Sequence, residues 1–210
     1  MEIKPTCYLA FGDSLTEGCG ADYPDQHWVA QLFQHLKHSD QCCLRNFGVS
    51  GTRSSELLEL MQNPAITRMI SRATHLSVST GGCDFIELWE SGPITFGGLY
   101  KTMRKVKQNA QNILHHLRAH NPKAEIYVLG FYIPLPLYQL GIKRASWLVR
   151  TLNHFYAGMC QRVEAKFFDP FSLFLDQKEL FSDEVHPNQQ GYNAISEQLI
   201  QRLFRPISIS

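Results

Sequence analysis

The chain has 210 residues, 44% hydrophobic and 19% charged, the balance of a globular protein with a sizeable core rather than a disordered one. Twenty basic against nineteen acidic residues leave a net charge of +1, which excludes a global field of the kind that attracts nucleic acid or an anionic membrane. No apolar stretch has the length of a signal peptide or membrane span, and six scattered cysteines lack metal-like or disulfide-like spacing. The expectation is a single domain over 1–210, cytoplasmic, with no integral membrane segment, no metal and no cofactor.

In chain order, the predicted strands are Cys7 to Phe11, Cys42 to Phe47, His75 to Ser79, Ile126 to Gly130 and Ala165 to Phe168. Adjacent Cys42 and Cys43 on a strand would face opposite ways, and as buried thiols behave as small hydrophobes. Helical periodicity separates the strands. Trp28, Leu32 and Leu36 recur every fourth residue; Leu99, Met103, Val106, Ala110, Ile113 and Leu117 alternate four and three, ending at Asn121-Pro122. The last helix follows His186, with Asn188 as its cap and Tyr192, Ile195, Leu199 and Leu203 on one side. Lys101, Arg104, Lys105 and Lys107 fall on the second helix and read as a solvated face.

Alternating strands and helices imply a parallel sheet covered on both faces, with function in the loops at the carboxyl ends of its strands. Ser14, Gly51, Cys83 and the Phe131 to Tyr138 loop all lie just past such ends. Ser14 stands in Gly12-Asp13-Ser14, at a strand-to-helix turn whose free N–H groups can face a developing negative charge. Alone, that tripeptide describes a helix cap as well as a nucleophile. Asp183-Glu184-Val185-His186-Pro187 changes the balance, because a hydroxyl needs an imidazole to take its proton and a carboxylate to orient that imidazole. Pro187 pushes His186 toward extended geometry, out of the helix that follows. The order Ser, Asp, His differs from those of the chymotrypsin and subtilisin types.

FGDSLTEG at Phe11, Asn46-Phe47-Gly48-Val49-Ser50-Gly51, Thr80-Gly81-Gly82-Cys83-Asp84 and DEVHPN at Asp183 together resemble the blocks of the GDSL/SGNH hydrolases, in order and across nearly the whole chain. Within that family the chain looks closest to bacterial lipase/acylhydrolase and lysophospholipase-type esterases. The resemblance implies a flavodoxin-like three-layer α/β/α fold with a five-stranded parallel sheet. It also implies Ser14 as nucleophile, His186 as base, Asp183 as its orienter, and an oxyanion hole of Ser14, Gly51 and the third block.

That third block departs from the family pattern, carrying Cys83 where an asparagine amide would donate to the oxyanion. A thiol is a poor donor, and loss of one such donor costs roughly a hundred- to thousandfold in turnover. Three readings of Cys83 stand open: a tolerated replacement in a weak esterase, a member that binds more than it turns over, or a redox-sensitive brake. The apolar, proline-broken run Phe131-Tyr132-Ile133-Pro134 offers an acyl-binding wall, as Trp89 and Phe96 do more weakly; ordinary loop packing is the alternative. His116 and His120 have i, i+4 spacing but no acidic companion, and no glycine loop suits a nucleotide phosphate. The sequence therefore describes a cofactor-free serine esterase acting on a small-molecule ester. A lipid- or carbohydrate-ester binding module on the same scaffold is the alternative.

Overall fold

The computed structural model describes residues 4–204, so Met1–Ile3 and residues 205–210 of the expected 1–210 span lie outside the described residues. Five strands form one parallel sheet in the order β2-β1-β3-β4-β5. They are β1 (Cys7–Gly12), β2 (Cys43–Gly48), β3 (His75–Ser79), β4 (Glu125–Leu129) and β5 (Lys166–Phe168), each within one residue of its predicted bounds. Short helices α1 (Ser14–Glu17) and α2 (Trp28–Leu36) follow β1; α3 (Ser54–Gln62) and α4 (Pro64–Ile70) follow β2. Then come α5 (Gly82–Glu90), α6 (Phe96–His120), α7 (Ile142–Arg162), α8 (Phe171–Phe174) and α9 (Gln189–Phe204).

Side chains alternate along each strand, so β1 feeds two cores at once. Leu9 and Phe11 pack with Leu76, Val78, Ile126 and Val128 under α3, α4, α6 and α7. Tyr8 and Ala10 pack with Tyr127 and Leu129 under α2 and α9, where Trp28, Leu32, Tyr192 and Ile195 are buried. Three layers result, as expected. Asn188 caps α9, its Oδ1 accepting the Gly191 N–H at 3.0 Å. Cys42 lies one residue before β2 rather than on it, buried, its sulfur accepting the Thr6 N–H at 3.2 Å, while Cys43 is exposed.

Register aligns the strand ends that matter. Gly12 pairs with both Gly48 and Ser79, so the loops carrying Ser14, Gly51 and Cys83 leave the sheet side by side. The sheet's carboxyl edge is also where α6 and α7 begin. At 25 residues α6 is about 37 Å long, against about 17 Å for the 5-residue β4, so its first turns project well past that edge.

Gly48 sits where β2 meets the nucleophile turn: a β-carbon there would lie 2.2 Å from the Glu17 backbone nitrogen. Gly48→Ala is expected to cost roughly 1–3 kcal/mol of stability, as overpacking does. Urea denaturation of the two proteins measures it; an unchanged midpoint would show that the turn yields freely.

Candidate active site

Asp13 builds the turn that presents Ser14. Its Oδ1 accepts the Leu15 N–H at 3.1 Å, capping α1, and the Ser79 hydroxyl at 2.8 Å. Ser79 Oγ also lies 2.7 Å from Thr16 Oγ1, which locks the turn to β3. Burial raises the Asp13 carboxyl above its ordinary range even though the Ser79 hydroxyl and the Leu15 N–H oppose it. Ser14 stands at the first helical position, where its N–H has no intrahelical acceptor.

The second loop is tied to the same turn. Asn46 donates to the Thr16 carbonyl at 2.7 Å and accepts the Gly48 N–H at 2.8 Å, while Glu17 Oε2 accepts the Ser50 N–H at 2.6 Å. Gly51 follows with φ of 82°, a left-handed conformation that other residues adopt only with strain. Its N–H lies against the Cys83 sulfur. Asp84, the next residue, is buried and accepts from Ser54 N–H at 2.8 Å and Ser54 Oγ at 3.1 Å, fixing the start of α5 to α3.

The late loop brings the remaining groups. Asp183 Oδ1 accepts the N–H groups of Val185 and His186, both at 2.7 Å, folding the loop into a compact turn. Its Oδ2 lies 2.7 Å from His186 Nδ1, and His186 Nε2 lies 2.8 Å from Ser14 Oγ. This geometry suits Nδ1–H donating to the carboxylate while the serine hydroxyl donates to Nε2. Burial alone would raise the Asp183 carboxyl. The His186 N–H, the His186 ring and the Val185 N–H together outweigh it and hold the group below its ordinary value. From outside, Tyr132 donates its hydroxyl to the Val185 carbonyl at 2.6 Å, and Ser182 N–H donates to the His186 carbonyl at 2.9 Å.

Beside Ser14 lies a largely apolar cavity of about 260 Å³. Its wall includes Ser14, Cys83, Phe85 and Trp89 on the α5 side, Leu99 of α6, Phe131, Tyr132 and Leu137 from the loop after β4, and Leu148 and Leu152 of α7. Phe131 is clamped by Asn153, which accepts its N–H and donates to its carbonyl, each at 2.8 Å.

The sequence reading needs two corrections here. Ile133 is not part of the wall: it is fully buried in a separate apolar cluster with Ala145, Val149 and Phe171. Phe96 is also outside the cavity, 86% exposed on the first turn of α6. Phe131, Tyr132 and Trp89 do line it. Cys83 lines it too, with its thiol pushed up to about 12 by burial and by the nearby Asp13 carboxylate, which the Gly51 N–H only partly offsets. Surroundings that favour the thiol over the thiolate run against the redox-brake reading of Cys83. Asp13, Asn46 and Glu17 were not singled out from sequence, although all lie within or beside the first two motifs. Among the described residues, no group of three or more His, Cys, Asp or Glu side chains could hold a metal ion.

Residues 10–194 match the model of the GDSL-like Lipase/Acylhydrolase family, and the chain belongs to that family, a hydrolase of ester bonds. It is 27% identical to the spore germination lipase LipC of Bacillus licheniformis over 203 residues, spanning 91% of this chain and 93% of that one. Among solved structures, the lipase Lip_vut3 from a goat rumen metagenome superposes with a TM-score of 0.80 at 22% identity, covering 92% and 95% of the two chains. A phospholipase A1 from Streptomyces albidoflavus gives 0.73 at 16% identity over 95% and 99%. These two likenesses establish the fold.

Removing the ring in His186→Ala should move the Asp183 titration upward toward the usual value of about 3.9, because a favourable hydrogen bond and charge disappear while the backbone donors remain. Carboxyl NMR across pH 2–6 measures it; an unmoved or lower midpoint would mean the ring does not hold the carboxylate.

Proposed function

We propose that the protein is a serine esterase or acylhydrolase that works through an acyl-enzyme on Ser14. His186 Nε2 takes the hydroxyl proton as Ser14 Oγ attacks the ester carbonyl; the same proton then passes to the departing alkoxide. Asp183 keeps Nδ1 protonated and the ring turned toward Ser14, and stabilises the imidazolium that forms. Water, deprotonated by His186, then attacks the acyl carbon and frees Ser14. The observation that carries this reading is the continuous line of 2.7 Å and 2.8 Å contacts from Asp183 through His186 to Ser14, set beside the apolar cavity.

The N–H groups of Ser14 and Gly51 face the oxyanion, and Cys83 occupies the third place. The cavity takes the acyl chain. Since about 150 Å³ accommodates a six-carbon ring, 260 Å³ holds roughly ten carbons. Relatives described as lipases and as a phospholipase A1 support an acyl substrate of this kind. No cofactor takes part in these steps.

Ser14→Ala should lower kcat on nitrophenyl octanoate by at least about a thousandfold, with the protein still folded. Turnover near the wild-type rate would contradict the proposal. Cys83→Asn should raise turnover of the same ester by at least about tenfold, since it adds an amide donor. An unchanged or lower rate in the folded variant would mean the oxyanion is held by other groups.

A further inference from the structure

Four large apolar side chains stand in solvent at the end of the molecule where α6 and α7 begin. Phe96 is 86% exposed, Tyr100 63%, Ile142 46% and Trp147 66%. Both helices begin at the sheet's carboxyl edge, and both contribute to the same cavity, Leu99 from one and Leu148 from the other. Phe96 and Tyr100 are one turn apart on the outward side of α6, flanking the inward Leu99; Trp147 immediately precedes the inward Leu148. None of the four lines the cavity, although their neighbours Leu99 and Leu148 do. Neither the hydrolytic steps nor the core gives them a role, and large exposed apolar groups gathered at one place mark an interaction surface.

The charges beside them have one sign. Residues 96–104 and 142–150 contain no acid, and they carry Lys101, Arg104, Lys143, Arg144 and Arg150. Among the described residues Lys101, Arg104, Lys143 and Arg144 form no ion pair, whereas Arg150 sits 4.5 Å over the Phe171 ring, Lys105 lies 3.5 Å from Asp84 and Lys107 sits 4.2 Å over the Phe155 ring. The basic cluster therefore divides into cations that serve the fold and cations that do not. Aromatic and aliphatic groups interleaved with free cations match the boundary of an anionic lipid layer, where rings enter the acyl region and ammonium or guanidinium groups meet the headgroups. Three carboxylates, Asp13, Glu90 and Glu184, belong to the cavity wall itself.

We infer that the exposed first turns of α6 and α7 form a docking surface for an anionic lipid layer, set around the mouth of the cavity so that an acyl ester can pass from the layer to Ser14. A net charge of +1 over the whole chain does not reveal the two segments that carry cations and no acid. The choice of lipid as the occupant rests on the acyl-chain reading of the cavity; adsorption itself needs no turnover.

The test uses the full chain carrying Ser14→Ala, floated with vesicles of phosphatidylcholine alone or mixed with phosphatidylglycerol. Binding to the mixed vesicles is expected at least tenfold tighter than to phosphatidylcholine. Lys101→Gln with Lys143→Gln should weaken it by about 25-fold, at roughly fivefold per cation. Phe96→Ser with Trp147→Ser should abolish it, while the same changes on the Ser14 background leave hydrolysis of soluble nitrophenyl butyrate unchanged, which shows that the protein is folded. No binding, equal binding to both vesicle types, or full retention in the Phe96/Trp147 variant would overturn the inference. So would a dimer in sedimentation that those two substitutions dissolve, since the patch would then serve self-association. Vesicle binding by a protein that hydrolyses no ester would count against the acyl-enzyme and leave this surface standing.

Discussion

The contact between His186 Nε2 and Ser14 Oγ, at 2.8 Å, joins residues 172 positions apart in the chain. Nothing local creates it. It exists because β1 delivers Ser14 to the carboxyl edge of the sheet while the turn before α9 returns His186 to the same edge. Each half is braced independently: the Asp13–Ser79–Thr16 network holds the serine turn, and the Asp183 carboxylate with the Tyr132 hydroxyl holds the histidine turn. An error of an ångström in either brace would separate the two atoms beyond proton-transfer reach.

Carboxylates supply most of this bracing, and their surroundings differ. Asp13 is buried and its carboxyl is pushed upward, whereas Asp183 is half-exposed and held below its ordinary range. Solvent screens the charge of Asp183, so its value to the site lies in direction more than in field strength: it points one ring nitrogen and thereby aims the other. Asp84 works differently again, binding α3 to α5 and fixing where Cys83 begins its helix. The frame at Cys83 therefore depends on its neighbour Asp84 rather than on the thiol.

Much of the strand framework, with Ser14, Asp183 and His186, was legible in the sequence. Apolar runs bounded by glycine locate strands within a residue, and the two motifs carry side chains whose chemistry has few other uses. The cavity was less legible. Its wall comes from α5, α6, the loop after β4 and α7, four segments with no shared motif, and only their packing reveals which side chains face inward. Ile133 shows the difficulty. It lies in an apolar loop beside two lining residues, yet it belongs to the core formed with Ala145 and Phe171. Helix α5 escaped the periodicity reading because it starts on Gly81-Gly82, residues that weaken a helix when judged locally. The stripe Ala145, Leu148, Val149, Leu152 and Tyr156 of α7 was present in the sequence but lies beyond a proline-broken loop that draws attention instead.

The central claim is that the imidazole turns an ordinary hydroxyl into a nucleophile. It is tested most directly by intact-mass and peptide mass spectrometry after exposure to a fluorophosphonate ester. The expected result is one adduct, on Ser14, formed rapidly in the native protein and at least about a hundredfold more slowly in a folded His186→Ala variant. Adduct on another residue, or labelling of Ser14 at the same rate with and without the ring, would contradict it.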